Sequence, residues 1–164
     1  MSRNSIALVI LSLAIGSLAG CGGTNDPFPY VKEKGKVTYT DGSLIPAFRI
    51  QVLFISEAPA ADPKTSPPQG VAEVNVADGT YDKVMSHLSE GVVRGKHKVL
   101  IRCFDKNDRV IKVVADEYLD VNKTPLAADT DNPASFDFTV KKYAGPAAGP
   151  NGPAGQGNQG HQRR

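Results

Sequence analysis

The chain has no tryptophan, and only two cysteines, two methionines and three histidines in 164 residues. Without tryptophan it lacks the aromatic platform that carbohydrate-binding sandwiches use most. Cys21 and Cys103 are too few for a disulfide framework. His87, His97 and His161 have no spacing to cysteine or to one another that fits a zinc site. Charge of one sign is scarce as well: 19 Lys and Arg against 17 Asp and Glu leave a net +2. That gives no electrostatic footprint for nucleic acid and none for an acidic membrane surface. No apolar run reaches the roughly 20 residues of a spanning helix, and no stretch carries a convincing helical period.

The longest apolar run is Ile6 to Ala19, IALVILSLAIGSLA, 14 residues behind a short basic start at Arg3. Its length and flanks suit the apolar region of a cleavable signal rather than a membrane span. It ends in Leu18-Ala19-Gly20-Cys21, which resembles the lipobox of bacterial lipoproteins. The resemblance implies cleavage between Gly20 and Cys21 and diacylglycerol on the Cys21 thiol. One acyl chain binds a membrane only marginally, so the two or three implied for this cysteine are what make the tether permanent. Gly22, rather than Asp, follows the lipid site. By the same resemblance this favours an outer membrane, facing the periplasm or the cell surface, over the inner membrane. With Cys21 consumed, Cys103 has no partner and reads as a small buried apolar residue.

Composition divides the chain into a signal peptide at 1–20, a lipidated flexible linker at 21–33, a folded domain at 34–143 and a tail at 144–164. The linker is polar and carries two prolines. The domain is a series of short β-rich runs: Lys36–Thr40, Arg49–Ile55, Val71–Val76, Tyr81–Val84, Lys96–Phe104, Arg109–Val114 and Ser135–Lys141. In the second run Ile50, Val52 and Phe54 share one face, with Leu53 and Ile55 on the other, as in a strand buried on both sides. Asp41-Gly42 and Asp78-Gly79 are tight-turn dipeptides. The proline-rich stretch Ala58–Gln69 reads as an irregular loop. Seven short strands separated by turn signals predict an all-β fold, a seven-stranded antiparallel β-sandwich. The tail has no large apolar residue after Tyr143 and cannot bury enough surface to fold. Its glycines miss the strict threefold spacing of collagen.

The order of these landmarks resembles the carboxypeptidase regulatory-like domain, a transthyretin-like (prealbumin-like) sandwich. GKVTYTDGSLIPAFRIQVLF resembles the first hairpin of that family, through Gly35, Val37, Thr38, Asp41 and Gly42 and the apolar strand that follows. Ala77-Asp78-Gly79-Thr80-Tyr81 resembles its second landmark and Gly91–Ile101 its third, with His97 standing where an aromatic is usual. Glu117-Tyr118, Thr124-Pro125-Leu126 and Phe136-Asp137-Phe138 fit the closing part. The turn Ser43-Leu44-Ile45-Pro46 is one residue longer than usual. The family implies no catalytic residues and no cofactor.

The residues themselves offer little chemistry. Ser86 and His87 are neighbours and do not face one another, and no nucleophile elbow exists. Asp105–Asp108 and Asp129–Asn132 cluster oxygen ligands but lack a calcium loop's closing Glu, and read as turns. Asp116, Glu117 and Asp120 read as a solvated loop. Tyr30, Tyr118 and Tyr143 are the expected exposed aromatics. The expectation is a non-enzymatic, membrane-tethered structural or interaction module of the cell envelope. Its partners would be the membrane, through lipid on Cys21, and an envelope protein or polysaccharide. The competing class is a binding module for an envelope polysaccharide or small ligand.

Overall fold

The computed structural model describes residues 26–87 and 89–145. The signal segment 1–20, the cleavage and lipidation positions Gly20 and Cys21, and all but the first two residues of the tail lie outside the described residues.

The domain is all-β. Its strands are β1 (Tyr30–Val31), β2 (Gly35–Tyr39), β3 (Arg49–Ser56), β4 (Gly70–Val74), β5 (Thr80–Tyr81), β6 (Val84–Met85), β7 (Val92–Val93), β8 (Lys96–Phe104), β9 (Val110–Ile111), β10 (Ala127–Asp129) and β11 (Phe138–Val140). The helical segments among the described residues are two four-residue 3-10 turns, Asp116–Leu119 and Pro133–Phe136. A larger sheet runs β10-β8-β3-β4-β6 with β9 also on β8, a smaller one runs β11-β2-β5, and β1 pairs with β7.

Strand stands in each of the seven expected segments, with four corrections. Tyr81–Val84 is not one strand: β5 pairs with β2 and β6 with β4, so the chain changes sheet at exposed Asp82 and Lys83. The run at Ser135–Lys141 begins as a 3-10 turn, because Pro133 supplies the fixed φ of a first helical position. The pairing is not wholly antiparallel, since β11 lies parallel to β2 with Phe138 opposite Val37 and Val140 opposite Tyr39. Finally, the segment expected as linker already belongs to the fold. Tyr30 and Val31 pair with Val93 and Val92, and Arg94 N–H donates to the Pro29 carbonyl.

The core lies between the two sheets. Ile50, Val52 and Phe54 of β3 face it together, all within 2% exposure. Phe54 is its centre: Tyr81, His97, Phe136 and Phe138 surround the ring at centroid distances of 5.5 to 6.2 Å. Tyr81 and Phe138 come from the smaller sheet and His97 from β8, so one side chain joins both layers. Close approach fixes two glycines. A Cβ on Gly79, at φ +80°, would stand 2.6 Å from the Val37 carbonyl oxygen, and one on Gly35 would stand 2.1 Å from that of Phe136.

Arg49, on the other face of β3, is not a free solvent residue. Its guanidinium stacks 3.9 Å from the Phe104 ring centroid and reaches both Asp108 and Glu73. Phe54→Ala should therefore cost about 3–5 kcal/mol through lost burial and a cavity. Arg49→Ala should cost well under half as much, because it loses only a part-exposed cation–π contact and surface ion pairs. Urea melts of the two variants check both, and a Phe54→Ala loss under about 1 kcal/mol would overturn the placement of β3.

Candidate functional site

The strand directions give the domain two distinct ends. The chain arrives along Tyr30–Val31 and enters β2 at Gly35, level with Phe54, Gly70, Tyr81 and the start of β8. Because β11 is parallel to β2, it runs away from that end and leaves past Val140, level with Tyr39, Arg49 and Phe104. Residues 141–143 continue in the same direction, with Ala115 N–H donating to the Lys141 carbonyl and Tyr143 N–H to that of Val113. The N-terminal and C-terminal segments thus leave from opposite ends.

The end from which the chain exits carries a shallow groove of about 380 Å³ between the Ser43–Pro46 turn and residues 112–113 and 142–143. Tyr39 and Tyr143 contribute its aromatic surface and Lys112 and Lys142 its charge. Each lysine is held over a ring: Lys142 Nζ lies 5.0 Å from the Tyr39 centroid and Lys112 Nζ 5.5 Å from that of Tyr143. Each is also paired, Lys142 with Asp41 at 2.7 Å and Lys112 with Asp116 at 2.8 Å. Lys142 and the Ser43 hydroxyl and amide hold the Asp41 carboxyl well below the usual carboxylate range. Burial raises the Tyr39 phenol, whose hydroxyl donates to the Val113 carbonyl at 2.9 Å. Tyr143 is the more open of the groove's two rings, since Tyr39 is only 4% exposed. The groove's two lysines are both engaged in ion pairs with carboxylates at its rim.

Around this groove the same end exposes Leu44 (40%), Phe48 (70%), Val76 and Val110 (58%), four of the six large apolar side chains exposed among the described residues. Phe48 was missed in the sequence because it precedes the alternating run and looks like its continuation. The opposite end has a larger open groove of about 610 Å³, where Lys32, Lys34 and Lys36 face Glu33, Asp82 and Asp137. Its charges balance and give it no preference for an ion of either sign.

The remaining candidates fall apart or turn inward. His87 is exposed, while the buried Ser86 hydroxyl bonds Ser89 and not the imidazole. Asp116, Glu117 and Asp120 each pair with a different lysine, Lys112, Lys141 and Lys123. Asp105 accepts from the amides of Asn107 and Arg109, and Asp129 from that of Asp131, as Asx turns do. No group of three or more His, Cys, Asp or Glu suited to a metal occurs among the described residues. Tyr118, expected at the surface, is 3% exposed and accepts from Lys141 N–H. His161 lies outside the described residues. Compared with family models, curated proteins and solved structures, the chain gives no match in any of the three.

Cys103 is fully buried opposite Ile50 and Ile111, and burial pushes its thiol up to about 12. A thiolate is the reactive form, so the native domain should not react with a thiol reagent at pH 8. The thiol should appear only as urea unfolds the chain, with the same midpoint as the loss of β structure. Reaction in the native state would place Cys103 at an accessible surface.

Proposed function

We propose that this chain is a membrane-tethered, non-enzymatic lipoprotein of the cell envelope whose transthyretin-like sandwich works as a spacer and interaction module. The observation that carries this reading is the opposite placement of the two chain exits. Lipid on Cys21 would hold one end towards the membrane. Eight residues lie between Cys21 and Tyr30, a reach of at most about 32 Å at ~3.3–3.6 Å per step. The other end would face away, with its aromatic groove, its exposed Phe48 and the start of the tail. The order of the sequence landmarks and the Asp-Gly turns support the transthyretin-like assignment, and Gly22 after the lipid site supports an outer membrane or cell-surface location over the inner membrane. An envelope protein is the favoured partner. The polysaccharide reading draws on the part-exposed Tyr143 of the groove, and a glycan that raises the unfolding midpoint by several degrees would favour it.

The anchor has its own test. Cys21→Ala should release the protein from the membrane fraction or leave an uncleaved precursor. In addition, denatured mature protein should titrate one thiol, that of Cys103, because a lipidated Cys21 has none to offer. Two thiols, or a cleaved variant that stays with membranes after a high-salt wash, would overturn the lipid anchor.

Removing residues 144–164 should leave the midpoint and cooperativity of unfolding unchanged, since the segment has no large apolar residue to bury. Any loss should appear in association with an anionic envelope polymer, through Arg163 and Arg164. That contact should fade above physiological salt, where the Debye length is already about 8 Å. A lowered midpoint would mean that the tail packs on the sandwich.

A further inference from the structure

His97 is a polar side chain in an apolar place. It is 1% exposed, it meets Phe54 edge-on at 6.2 Å and 87°, and its Nδ1 has no hydrogen-bond partner. A buried, unpartnered nitrogen costs free energy in any fold, and a charged one costs far more. The element beside it in the larger sheet is a short one. β10 is a three-residue edge strand, with Ala128 opposite His97, flanked by Ala127 opposite Lys98 and Asp129 opposite Lys96.

Besides its short ladder with β8 and the turn bonds of the Asp131, Asn132 and Ser135 amides, four bonds hold this segment. The Ser135 hydroxyl accepts from Asp129 N–H and donates to the Asp129 carbonyl, Thr130 N–H donates to Gly95, and the Thr130 hydroxyl accepts from Gly95 N–H. Phe136 then anchors its far side in the core.

We propose that His97 makes the segment Ala127–Ser135 a flap that a proton releases, so that mild acid frees β10 from β8 while the rest of the sandwich stays folded. The charged groups around the imidazole fit this. Glu57, just beyond β3, and Asp129, on β10 itself, are the carboxylates that act on it. Lys96 and Lys98 alternate with it and point to the other face of β8, and the Pro133–Phe136 turn brings no charge. Burial lowers the proton affinity of the closed state, which the Gly95 backbone, Glu57 and Asp129 offset in part. The Gly95 backbone closes no well-formed hydrogen bond to Nδ1.

The sign follows from linkage. In the open state the imidazole regains its ordinary affinity near pH 6.5, so the open state binds more protons below that pH. The closed flap is most stable above about pH 6.5 and loosens as pH falls. An open flap uncovers the backbone of Lys96–Lys98, an edge on which another strand can pair.

Hydrogen exchange of the full mature chain in detergent micelles, corrected for intrinsic rates, tests this at pH 7.5 and pH 5. Protection over Ala127–Ser135 should fall about tenfold at the lower pH, while Ile50–Phe54 and Ile101–Phe104 keep theirs. His97→Phe, which preserves the edge-on aromatic contact, should abolish the difference although His87 and His161 remain; His97→Leu gives the same readout if the first variant does not fold. Equal protection at both pH values would overturn the proposal. So would a loss shared by β3 and β8, or a pH difference that survives in the variant.

Discussion

The packing around Phe54 is the constraint on which the rest of the domain depends. The strands of the smaller sheet are two to five residues long, too short to be stable by hydrogen bonding alone. They hold their places because Tyr81 and Phe138 reach Phe54 from that sheet, while Phe136 reaches it from the preceding turn. The same contact explains the awkward position of His97. A ring is wanted at that point of β8 for shape, and the imidazole supplies one with a nitrogen that nothing satisfies.

Three tyrosines carry this packing out to the connections. The Tyr39 hydroxyl donates to Val113, the Tyr81 hydroxyl donates to Phe136, and the Tyr118 hydroxyl accepts from Lys141 N–H. Each ring is buried at 3–4% exposure and each polar tip meets a backbone group of a connecting segment. A phenol serves both needs, apolar surface for the core and a hydrogen bond for an irregular segment. The connections also cover the sheet edges. β10 turns back on itself between Asp129 and Asn132, and β6 is closed by Met85 against Glu90. Those caps restrain pairing with other chains.

What the sequence disclosed follows how much each segment decides locally. β3 and β8 were legible because eight and nine residues of continuous apolar and alternating character leave no other use for them. The turn at Gly79 was legible because only glycine fits there. By contrast β1, β7 and β10 have two or three residues each, below the length at which a period exists. Their pairing is decided by partners about 30 residues away for β10 and more than 60 for β1. Tyr118 was misplaced for the same reason: its acidic neighbours Asp116 and Glu117 mark a solvated loop, yet a 3-10 turn sends the ring alone inward. Of the candidate site, the aromatic and lysine residues were visible but their meeting was not, since Tyr39 and Tyr143 lie about a hundred residues apart.

The direction of β11 has consequences beyond the sheet it completes. Antiparallel to β2, it would have brought the C-terminal segment out beside the point where the chain comes in, and both would share one end. Running parallel, it gives the domain a polarity: the ladder with β2 and then the bonds of residues 141–143 to 113–115 carry the chain steadily away. Parallel pairing requires the chain to return to the starting end before β11 begins. The segment from Ala127 through Phe136 makes that return, along the edge of β8 and over His97. The polarity of the domain and the short strand beside His97 therefore have one origin. A chain that leaves by the far end must first come back along the near one, and it does so on a three-residue strand with a buried imidazole beneath it.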